Sequence, residues 1–475
     1  YRASPESFAF ASEIKALRAL PGASWELDLA ALGEYAVYGN VAGERSIYRE
    51  IRCLPPGCTL LLDVARGPEA FEVSRYWRFE PRPEPIRDEQ EALDRLEEVV
   101  SEATRLRLIA DVPLGAFLSG GIDSSLVVAF MAEHSSAPVK TFAIGFEERE
   151  WDESKHAAAV AAHLGTEHTT EIVTPDAVAI LPELIAPYDE PFADPSAIPT
   201  WYLARMTRQH VTVALSGDGG DELFFGYERY RASERLARLG RLATPGGRAA
   251  AGVVSSVLPP CSYLRRALDR GSGTGLGLYH HALGWNRDYL GILRPEVRVA
   301  LGREADQEAA RDFERTTGLP LLDRFRAVDV DNYLPDQVLV KVDRATMRHS
   351  LEVRCPLLDQ EVAELAARWP GSTQMAGGEQ KRLLRRLAYR KVPQELIDRP
   401  KQGFAVPIER WLRRELAPRL DAVLADATHP AWSFYDRAMA QRLATIHRAG
   451  RGNCQYPLWR LVVFAAWAES GGLAR

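Results

Sequence analysis

The sequence predicts an α/β fold built around a doubly wound parallel sheet and followed by a helical carboxy-terminal region. Short apolar strands alternate with helical patterns between residues 93 and 215, which indicates a parallel sheet with crossover helices. Two glycine-rich turns each follow one of these strands, at the carboxyl end where ligands collect in open parallel sheets. Beyond Glu228 the pattern is mostly helical and ends in an amphipathic stretch around Trp459, Val462, Ala466 and Trp467.

A domain boundary is predicted at the segment PRPEPIRDEQ, residues 81–90, whose three prolines and alternating charges are typical of a linker. This divides the chain into residues 1–80 and 81–475. In the first part, a Pro-Pro-Gly turn leads into an apolar strand. In the second part, a helix is predicted from apolar positions at helical spacing, and strands and helices then alternate. The helical positions are Leu93, Leu96, Val99, Val100, Ala103 and Leu106, and the predicted strands cover 115–118, 139–146, 169–174 and 210–215.

The composition is that of an ordinary soluble globular protein, with 475 residues, 46% apolar and 26% charged. A net charge of −6 gives no case for a nucleic acid or a membrane surface as partner. The apolar run LVVFAAWA is too short to span a bilayer. Five scattered cysteines without a CxxC pair argue against a disulfide framework or a zinc site, and we expect reduced thiols in the cytoplasm.

The first glycine turn, SGGIDSS, covers residues 119–125. The free N–H groups and the dipole of a helix start face the same point, so such a turn can hold an anion. It has neither the Gly-Lys-Ser/Thr of a Walker loop nor a G-x-G-x-x-G fingerprint. A carboxylate beside a phosphate needs a divalent cation between them, so Asp123 implies Mg²⁺. A plain capped turn is the alternative. The predicted phosphate-binding residues are Ser119, Gly120, Gly121, Asp123, Ser124 and Ser125.

The second glycine turn lies in SGDGGDELFFGY, residues 216–227. Four glycines and three acids in so short a stretch pack poorly in a core. They suit a loop that lines a binding site for a nucleotide and its metal. A surface turn with solvated acids is the alternative.

Together these loops resemble those of a known family. SGGIDSS resembles the pyrophosphate loop of the PP-loop ATP pyrophosphatases, and SGDGGDELFFGY narrows the resemblance to the asparagine synthetases. The stretches FASEIKAL, YDEPFADPSAIPT, YLPDQVLVKVDRATMRHSLEVRCPLLD and RPKQGFAVP also match in order, so the resemblance covers nearly the whole chain. It implies that ATP adenylates the side-chain carboxylate of aspartate, releasing pyrophosphate, and that ammonia then displaces AMP to give asparagine. It also implies that residues 1–80 are the closing part of an αββα amino-terminal-nucleophile glutaminase domain.

The resemblance assigns further roles to single residues. Lys401 matches a family lysine that reaches the α-phosphate region, and the family places Mg²⁺ on the acids equivalent to Asp123 and Asp221. Asp218 matches a family acid, commonly Glu, that stabilises or deprotonates the incoming ammonia. Phe117 and Ile144 fall at positions that border the adenine, and Ser216 and Gly217 match nucleotide contacts.

The family's glutaminase uses an amino-terminal cysteine whose own α-amine serves as the base. This sequence begins with Tyr1, and neither Cys53 nor Cys58 has a free amine, so we assign no glutaminase nucleophile in it. Two explanations are open: a truncated sequence of a glutamine-dependent enzyme, which we favour, or a remnant that uses free ammonia. The expected partners are small molecules, namely aspartate, ATP and glutamine or ammonia, with a homodimer also considered.

The acceptor carboxylate is the open question. Some synthetases carry an arginine near residues 188–200 that suits the α-carboxylate of aspartate, whereas this chain has Asp194-Pro195-Ser196 there. One alternative is a synthetase-like amidotransferase or cyclase acting on a sugar acid, a peptide or a natural-product precursor, and another is a non-catalytic nucleotide sensor. Glu352 and Arg354 are interpreted either as a buried pair that supports the site or as acceptor contacts.

Overall fold

The computed structural model describes most of the chain, and the predicted catalytic residue Lys401 lies outside the described residues. The described residues are 1–20, 22, 25–147, 152–174, 176, 178–242, 254, 258, 261, 275–283, 287–302, 307–398 and 406–473.

The strands of the described chain form two antiparallel hairpins and one five-stranded sheet in which every pairing is parallel. The strands are β1 Arg2–Ser4, β2 Ser7–Ala9, β3 Cys58–Leu62, β4 Phe71–Arg75, β5 Leu114–Phe117, β6 Lys140–Phe146, β7 Glu167–Val173, β8 Val213–Leu215 and β9 Glu352–Arg354.

The helices lie mainly around this sheet and in the carboxy-terminal half. The predicted helix over residues 93–106 is part of a longer one, whose side-chain cap Asp88 accepts from the N–H groups of Gln90 and Glu91. The helices are α1 Ile14–Leu17, α2 Leu29–Tyr38, α3 Glu89–Arg107, α4 Ile122–His134, α5 Ser154–Leu164, α6 Leu181–Ile185, α7 Ala197–Thr207, α8 Gly220–Phe224, α9 Glu228–Leu242, α10 Leu276–Ala282, α11 Pro295–Leu301, α12 Gln307–Arg315, α13 Leu321–Val328, α14 Val340–Met347, α15 Gln360–Ala367, α16 Gly371–Gln374, α17 Arg382–Tyr389, α18 Gln394–Ile397, α19 Ile408–Trp411, α20 Ala417–Ala425, α21 Arg437–Arg448 and α22 Gln455–Trp467.

The order of the central sheet, β7-β6-β5-β8-β9, confirms the predicted doubly wound fold. The chain enters at β5, builds outward through β6 and β7, and then returns to the other side of β5 with β8 and β9. The strand order therefore reverses beside β5, and such a reversal opens a crevice at the carboxyl edge of the sheet. The four predicted strands are all found, whereas β9 was not predicted because it is short and carries Glu352 and Arg354.

The core agrees with the predicted pattern, apart from two details. The apolar face of α3 is buried as expected except for Leu106, which is 44% exposed. The closing helix α22 was expected to be amphipathic, but it is buried on nearly every side, with Trp459 and Trp467 at 2% and 1% exposure. Its surroundings explain this, since α2, α20 and α21 all pack against it.

The two predicted parts of the chain share one hydrophobic core. Tyr35 of α2 donates to the carbonyl of Arg460 in α22 at 2.8 Å. Arg460 in turn donates to the carbonyls of Ala36 and Val37 at 3.0 and 2.8 Å. The linker also lies on the body of the protein, because the N–H of Arg82 bonds the carbonyl at the end of α15. None of the described helices is both long and apolar enough to cross a lipid bilayer.

Candidate active site

The two glycine loops lie side by side at the carboxyl edge of the sheet. Each follows one of the neighbouring strands β5 and β8, which pair in register at Ala116 and Leu215. The loops touch at Gly217, where an added Cβ would lie 2.7 Å from the backbone nitrogen of Ser124. A side chain at this position would therefore push the two loops apart.

The first loop is held by its own hydroxyl groups. The hydroxyl of Ser124 accepts from the N–H of Ser119 at 3.2 Å and lies 3.1 Å from the Ser119 hydroxyl. The Ser119 hydroxyl accepts from the N–H of Gly121 at 3.3 Å. Gly120 has φ +74°, and a Cβ there would lie 2.7 Å from the backbone of His156, so the turn requires glycine on both counts. The loop thus presents two hydroxyls at the start of α4.

Asp123 and Asp221, one from each loop, converge on a single ammonium group. Lys381 Nζ pairs with Asp221 Oδ1 at 2.5 Å and also contacts Asp123 Oδ2. Lys381 is only 4% exposed and directly precedes α17. Burial alone would lower the pKa of this lysine, but the two carboxylates outweigh burial and raise the pKa above its ordinary value. The ammonium therefore stays charged and neutralises part of the carboxylate charge.

Two glycines leave room for this contact. A Cβ on Gly226 would overlap Lys381 Cε and Asp221 Oδ1, and a Cβ on Gly220 would lie 2.5 Å from Asp123 Oδ1. The glycines at positions 220 and 226 of the second loop are thus explained by the lysine and the carboxylates that pack against the backbone there.

The two converging carboxylates fit a divalent cation. Carboxylate oxygens are the ligands that Mg²⁺ prefers, and in this protein both carboxylates already face one position of positive charge. No cluster of three or more His, Cys, Asp or Glu residues suited to a metal occurs in the described part of the chain. A cation bound by Asp123 and Asp221 would therefore take its other ligands from substrate or water oxygens.

Asp218 is oriented by its neighbour Ser216. The Ser216 hydroxyl donates to Asp218 Oδ2 at 2.8 Å and lies 3.4 Å from the sulfur of Cys355. Burial, with a further contribution from the charge of Asp218, raises the pKa of the Cys355 thiol to about 12, so the thiol stays neutral. The Asp218 carboxylate is therefore oriented by Ser216 and lies beside the neutral thiol of Cys355.

Both loops border one cavity of about 1080 Å³, close to the upper end of the usual range for small-molecule sites. The cavity also reaches the start of α9 and the loop that precedes α7. The predicted site residues that line it are Phe117, Ser119, Gly121, Asp123, Ser124, Ile144, Ser216, Gly217, Asp218 and Asp221.

Other predicted residues are placed differently. Gly120 and Ser125 are not part of the cavity wall, since Gly120 packs on the backbone of α5 and the Ser125 side chain is fully buried in α4. Arg354 pairs with Glu352 at 2.6 Å, but the Glu352 side chain is 54% exposed, so of the two interpretations of these residues the buried pair is wrong. The physical reason is that β9 is the edge strand of the sheet.

Sequence reasoning missed Glu222, Tyr227 and Lys381. Glu222 is 1% exposed and accepts a hydrogen bond from the Tyr227 hydroxyl. Burial, followed by the charge of Asp221, raises the pKa of Glu222 to about 7. Glu222 and Tyr227 both belong to the motif SGDGGDELFFGY, and the position of Glu222 next to Asp221 could have pointed to them. Lys381 gave no comparable signal, because it stands in an arginine-rich segment far from both loops.

Comparison with known proteins identifies the family. The asparagine synthase model matches residues 95–469, and the glutamine amidotransferase domain model matches residues 1–77. This chain belongs to the asparagine synthase family. It is therefore an ATP-dependent carbon–nitrogen ligase of the glutamine-hydrolysing type.

Relatives of this ligase come from bacteria and fungi. A Mycobacterium tuberculosis protein, provisionally named asparagine synthetase (glutamine-hydrolyzing), is 34% identical over 468 residues, which cover 97% of this chain and 70% of the relative. Asparagine synthetase (glutamine-hydrolyzing) 1 of Bacillus subtilis is 29% identical over 466 residues, covering 96% of this chain and 71% of the relative. An amidase of Penicillium rubens is 26% identical over 417 residues, covering 77% and 60%.

The contact between Gly226 and Lys381 predicts the effect of one added methyl group. Gly226→Ala should displace the lysine, leave the two carboxylates without their counter-charge, and weaken ATP binding by about tenfold or more. The matched change Gly277→Ala, where a Cβ meets nothing within 4 Å, should leave ATP affinity as in the wild type. Titration calorimetry measures both, with circular dichroism as the check on folding. Equal affinity in the two variants would contradict the role given to Lys381.

The raised pKa of Glu222 predicts a pH dependence of stability. In the folded protein this carboxyl keeps its proton up to about pH 7, whereas the unfolded chain releases it near the ordinary glutamate pKa of 4.5. The stability that it contributes is thus complete below the lower value and is lost as the pH rises through the higher one. Glu222→Gln should remove a slope of up to one proton, about 1.4 kcal/mol per pH unit.

Urea unfolding at several pH values between these limits measures that slope. Glu190 and Asp331, whose pKa values burial also raises to about 7, should keep a residual slope of the same sign in the variant. Glu98→Gln, at a side chain 68% exposed, serves as the matched control. A slope in Glu222→Gln as steep as in the wild type would show that Glu222 is not the protonated group.

Proposed function

We propose that this ligase uses ATP to adenylate the side-chain carboxylate of aspartate, releases pyrophosphate, and lets ammonia displace AMP to give asparagine. The observation that carries the proposal is the convergence of Asp123, Asp221 and Lys381 between two glycine loops in one cavity. The family and the names of the bacterial relatives support aspartate as the acceptor and glutamine as the source of ammonia.

We place the phosphates of ATP in the first loop, residues 119–125. The hydroxyls of Ser119 and Ser124 and the start of α4 lie there, and a helix amino terminus favours an anion. Phe117 and Ile144 would border the adenine, since both line the cavity at the ends of neighbouring strands. Ser216 and Gly217 would contact the nucleotide from the second loop.

The reaction joins two anions, because a carboxylate attacks the α-phosphate. Positive charge must therefore be present where negative charge develops. Asp123 and Asp221 would hold Mg²⁺, which supplies charge neutralisation on the departing pyrophosphate when bound. Lys381 contributes further positive charge at oxygens of the same two acids, which a bound Mg²⁺ would share with this ammonium. Lys401 is proposed, from its family match alone, to reach the α-phosphate region.

Asp218 is proposed to act in the second half of the reaction, by stabilising or deprotonating the incoming ammonia. It lines the cavity, and its hydrogen bond from Ser216 fixes one carboxylate oxygen. The side chain is one methylene shorter than the glutamate common in the family.

The wider context of the protein is also proposed. The match of the amidotransferase model to residues 1–77 supports residues 1–80 as part of a glutaminase domain and 81–475 as the synthetase domain. A cytoplasmic location is supported by cysteines that, among the described residues, form no disulfide. A homodimer remains a prediction.

The runner-up function is amide formation or cyclisation on another carboxylate, such as a sugar acid, a peptide or a natural-product precursor. The observation that favours it is the replacement of an acceptor-binding arginine by Asp194-Pro195-Ser196, together with an amidase among the relatives.

Acceptor identity is tested by supplying ATP, Mg²⁺, ammonia and a panel of carboxylic acids and measuring pyrophosphate. Aspartate should give the strongest signal, and Asp123→Asn should lower it by about 100-fold or more because the cation site loses one of its two acids. Asp421→Asn, at a solvent-facing ion pair, is the matched control and should retain full activity. A signal from another acid with none from aspartate would establish the runner-up.

Separate assays of the two half-reactions test Asp218. Asp218→Asn should still catalyse aspartate-dependent exchange of pyrophosphate into ATP, because the carboxylate acts only after adenylation. Its rate of asparagine formation from ammonia should fall by about 100-fold or more. Asp218→Glu, which restores the acid common in the family, should retain much of both activities. Parallel loss of exchange and amide formation in Asp218→Asn would assign the carboxylate to adenylation instead.

A further inference from the structure

Arg229 is a cavity-lining cation that no step proposed above uses. It is the second residue of α9, directly beyond the second glycine loop, and its side chain is 11% exposed. Its guanidinium lies between two aromatic rings, with the central carbon 3.7 Å from the centroid of Tyr227 and 4.4 Å from that of Tyr333. Such stacking fixes the plane of a guanidinium and leaves its edge available for hydrogen bonds.

The partner of Arg229 in the protein is Asp329, which accepts from Arg229 Nη2 at 2.9 Å. The same carboxylate accepts from the hydroxyl of Tyr279 at 2.5 Å and from that of Tyr230. Asp329 is thus shared by three donors. A guanidinium has five N–H donors, and the Nε of Arg229 has no hydrogen-bond partner among the described residues. Because this Nε is buried, the donor capacity that Arg229 has for a ligand beyond the pair with Asp329 lies on Nη1.

An acidic group lines the same cavity as this arginine. Asp194 lies in the loop before α7, where its Oδ1 accepts from the N–H and the hydroxyl of Ser196 at 2.9 and 2.7 Å. Burial raises the pKa of the Tyr333 phenol, the charge of Arg229 opposes this, and the charge of Asp194 adds to it. Both charged groups therefore act on one tyrosine ring at the cavity wall.

We propose that Arg229 and Asp194 recognise the two charged groups of an α-amino acid acceptor, Arg229 the α-carboxylate and Asp194 the α-ammonium group. A cation and an anion held in one cavity match such a zwitterion, whereas a sugar acid has no ammonium group to offer Asp194. The side-chain carboxylate of the acceptor is then left for the reaction with ATP. This inference rests on the proposed function and names the residues that determine its acceptor specificity.

Both residues also have structural contacts. A purely structural role predicts a different result from a role in recognising the acceptor. The bonds from Ser196 to Asp194 shape the loop before α7, and the pair of Arg229 with Asp329 supports the start of α9. Loss of such support would affect every acceptor and the nucleotide alike. Loss of a contact to one group of the acceptor affects only those acceptors that carry this group.

The test compares aspartate with two analogues, succinate, which lacks the α-ammonium group, and β-alanine, which lacks the α-carboxylate. Each is measured by pyrophosphate release, or as a competitive inhibitor against aspartate, at saturating ATP. Arg229→Met should lower kcat/KM for aspartate by about 10- to 100-fold or more and leave the constant for β-alanine nearly unchanged. Asp194→Asn should lower kcat/KM for aspartate by a similar factor and leave kcat/KM for succinate nearly unchanged. The KM for ATP should stay the same in both variants.

Arg231→Met is the matched control, because Arg231 lies on the same helix and pairs at 3.7 Å with Glu228. It should leave the discrimination among the three acids as in the wild type. If Arg229→Met does not fold because Asp329 loses its cation, Arg229→Lys serves instead because it keeps the charge. This variant should lower kcat/KM for aspartate and leave kcat/KM for β-alanine nearly unchanged.

Equal losses for all three acids, or a parallel rise in the KM for ATP, would overturn the assignment of Arg229 and Asp194. So would unaltered discrimination in folded variants that still turn over aspartate, and in that case the proposed function would stand. A wild-type enzyme that releases pyrophosphate with another acid but not with aspartate would overturn both.

Discussion

The contact on which the site depends is the one between Lys381 and the carboxylates of Asp123 and Asp221. Two acids brought together by neighbouring strands repel each other, and the repulsion grows as water is excluded. A buried ammonium between them makes the arrangement stable. The neighbouring glycines then follow as a steric requirement, because a side chain at Gly217, Gly220 or Gly226 would collide with this group or with the opposite loop.

The rest of the cavity is built from parts of the chain that are distant in sequence. Lys381 lies 258 residues beyond Asp123, and Arg229 pairs with an acid 100 residues away. Arg460 of α22 also lines the cavity while it bonds the carbonyls of Ala36 and Val37. One wall of the cavity is therefore tied to a helix near the amino-terminal end of the chain, through a shared core rather than a flexible linker.

The sequence was informative where a feature is local. Strand, glycine turn and helix start follow one another within about ten residues, so both loops and the residues by which they line the cavity could be predicted. Lys381 and Arg229 could not, because their roles arise from contacts across large sequence separations. Both interpretations of Glu352 and Arg354 gave these charges a place at the site, whereas the strand that carries them is at the edge of the sheet.

The backbone of Lys381 has φ +54°, a left-handed conformation that residues other than glycine and asparagine adopt with difficulty. Glycine or asparagine would relieve that strain but would carry no charge to the two acids. Arginine would carry the charge, yet its planar head group is larger than the ammonium that already packs against Gly226. Glycine and asparagine therefore fit the backbone but not the charge, and arginine fits the charge but not the space. We expect no single replacement of Lys381 to preserve both the left-handed backbone and the contact with the two acids.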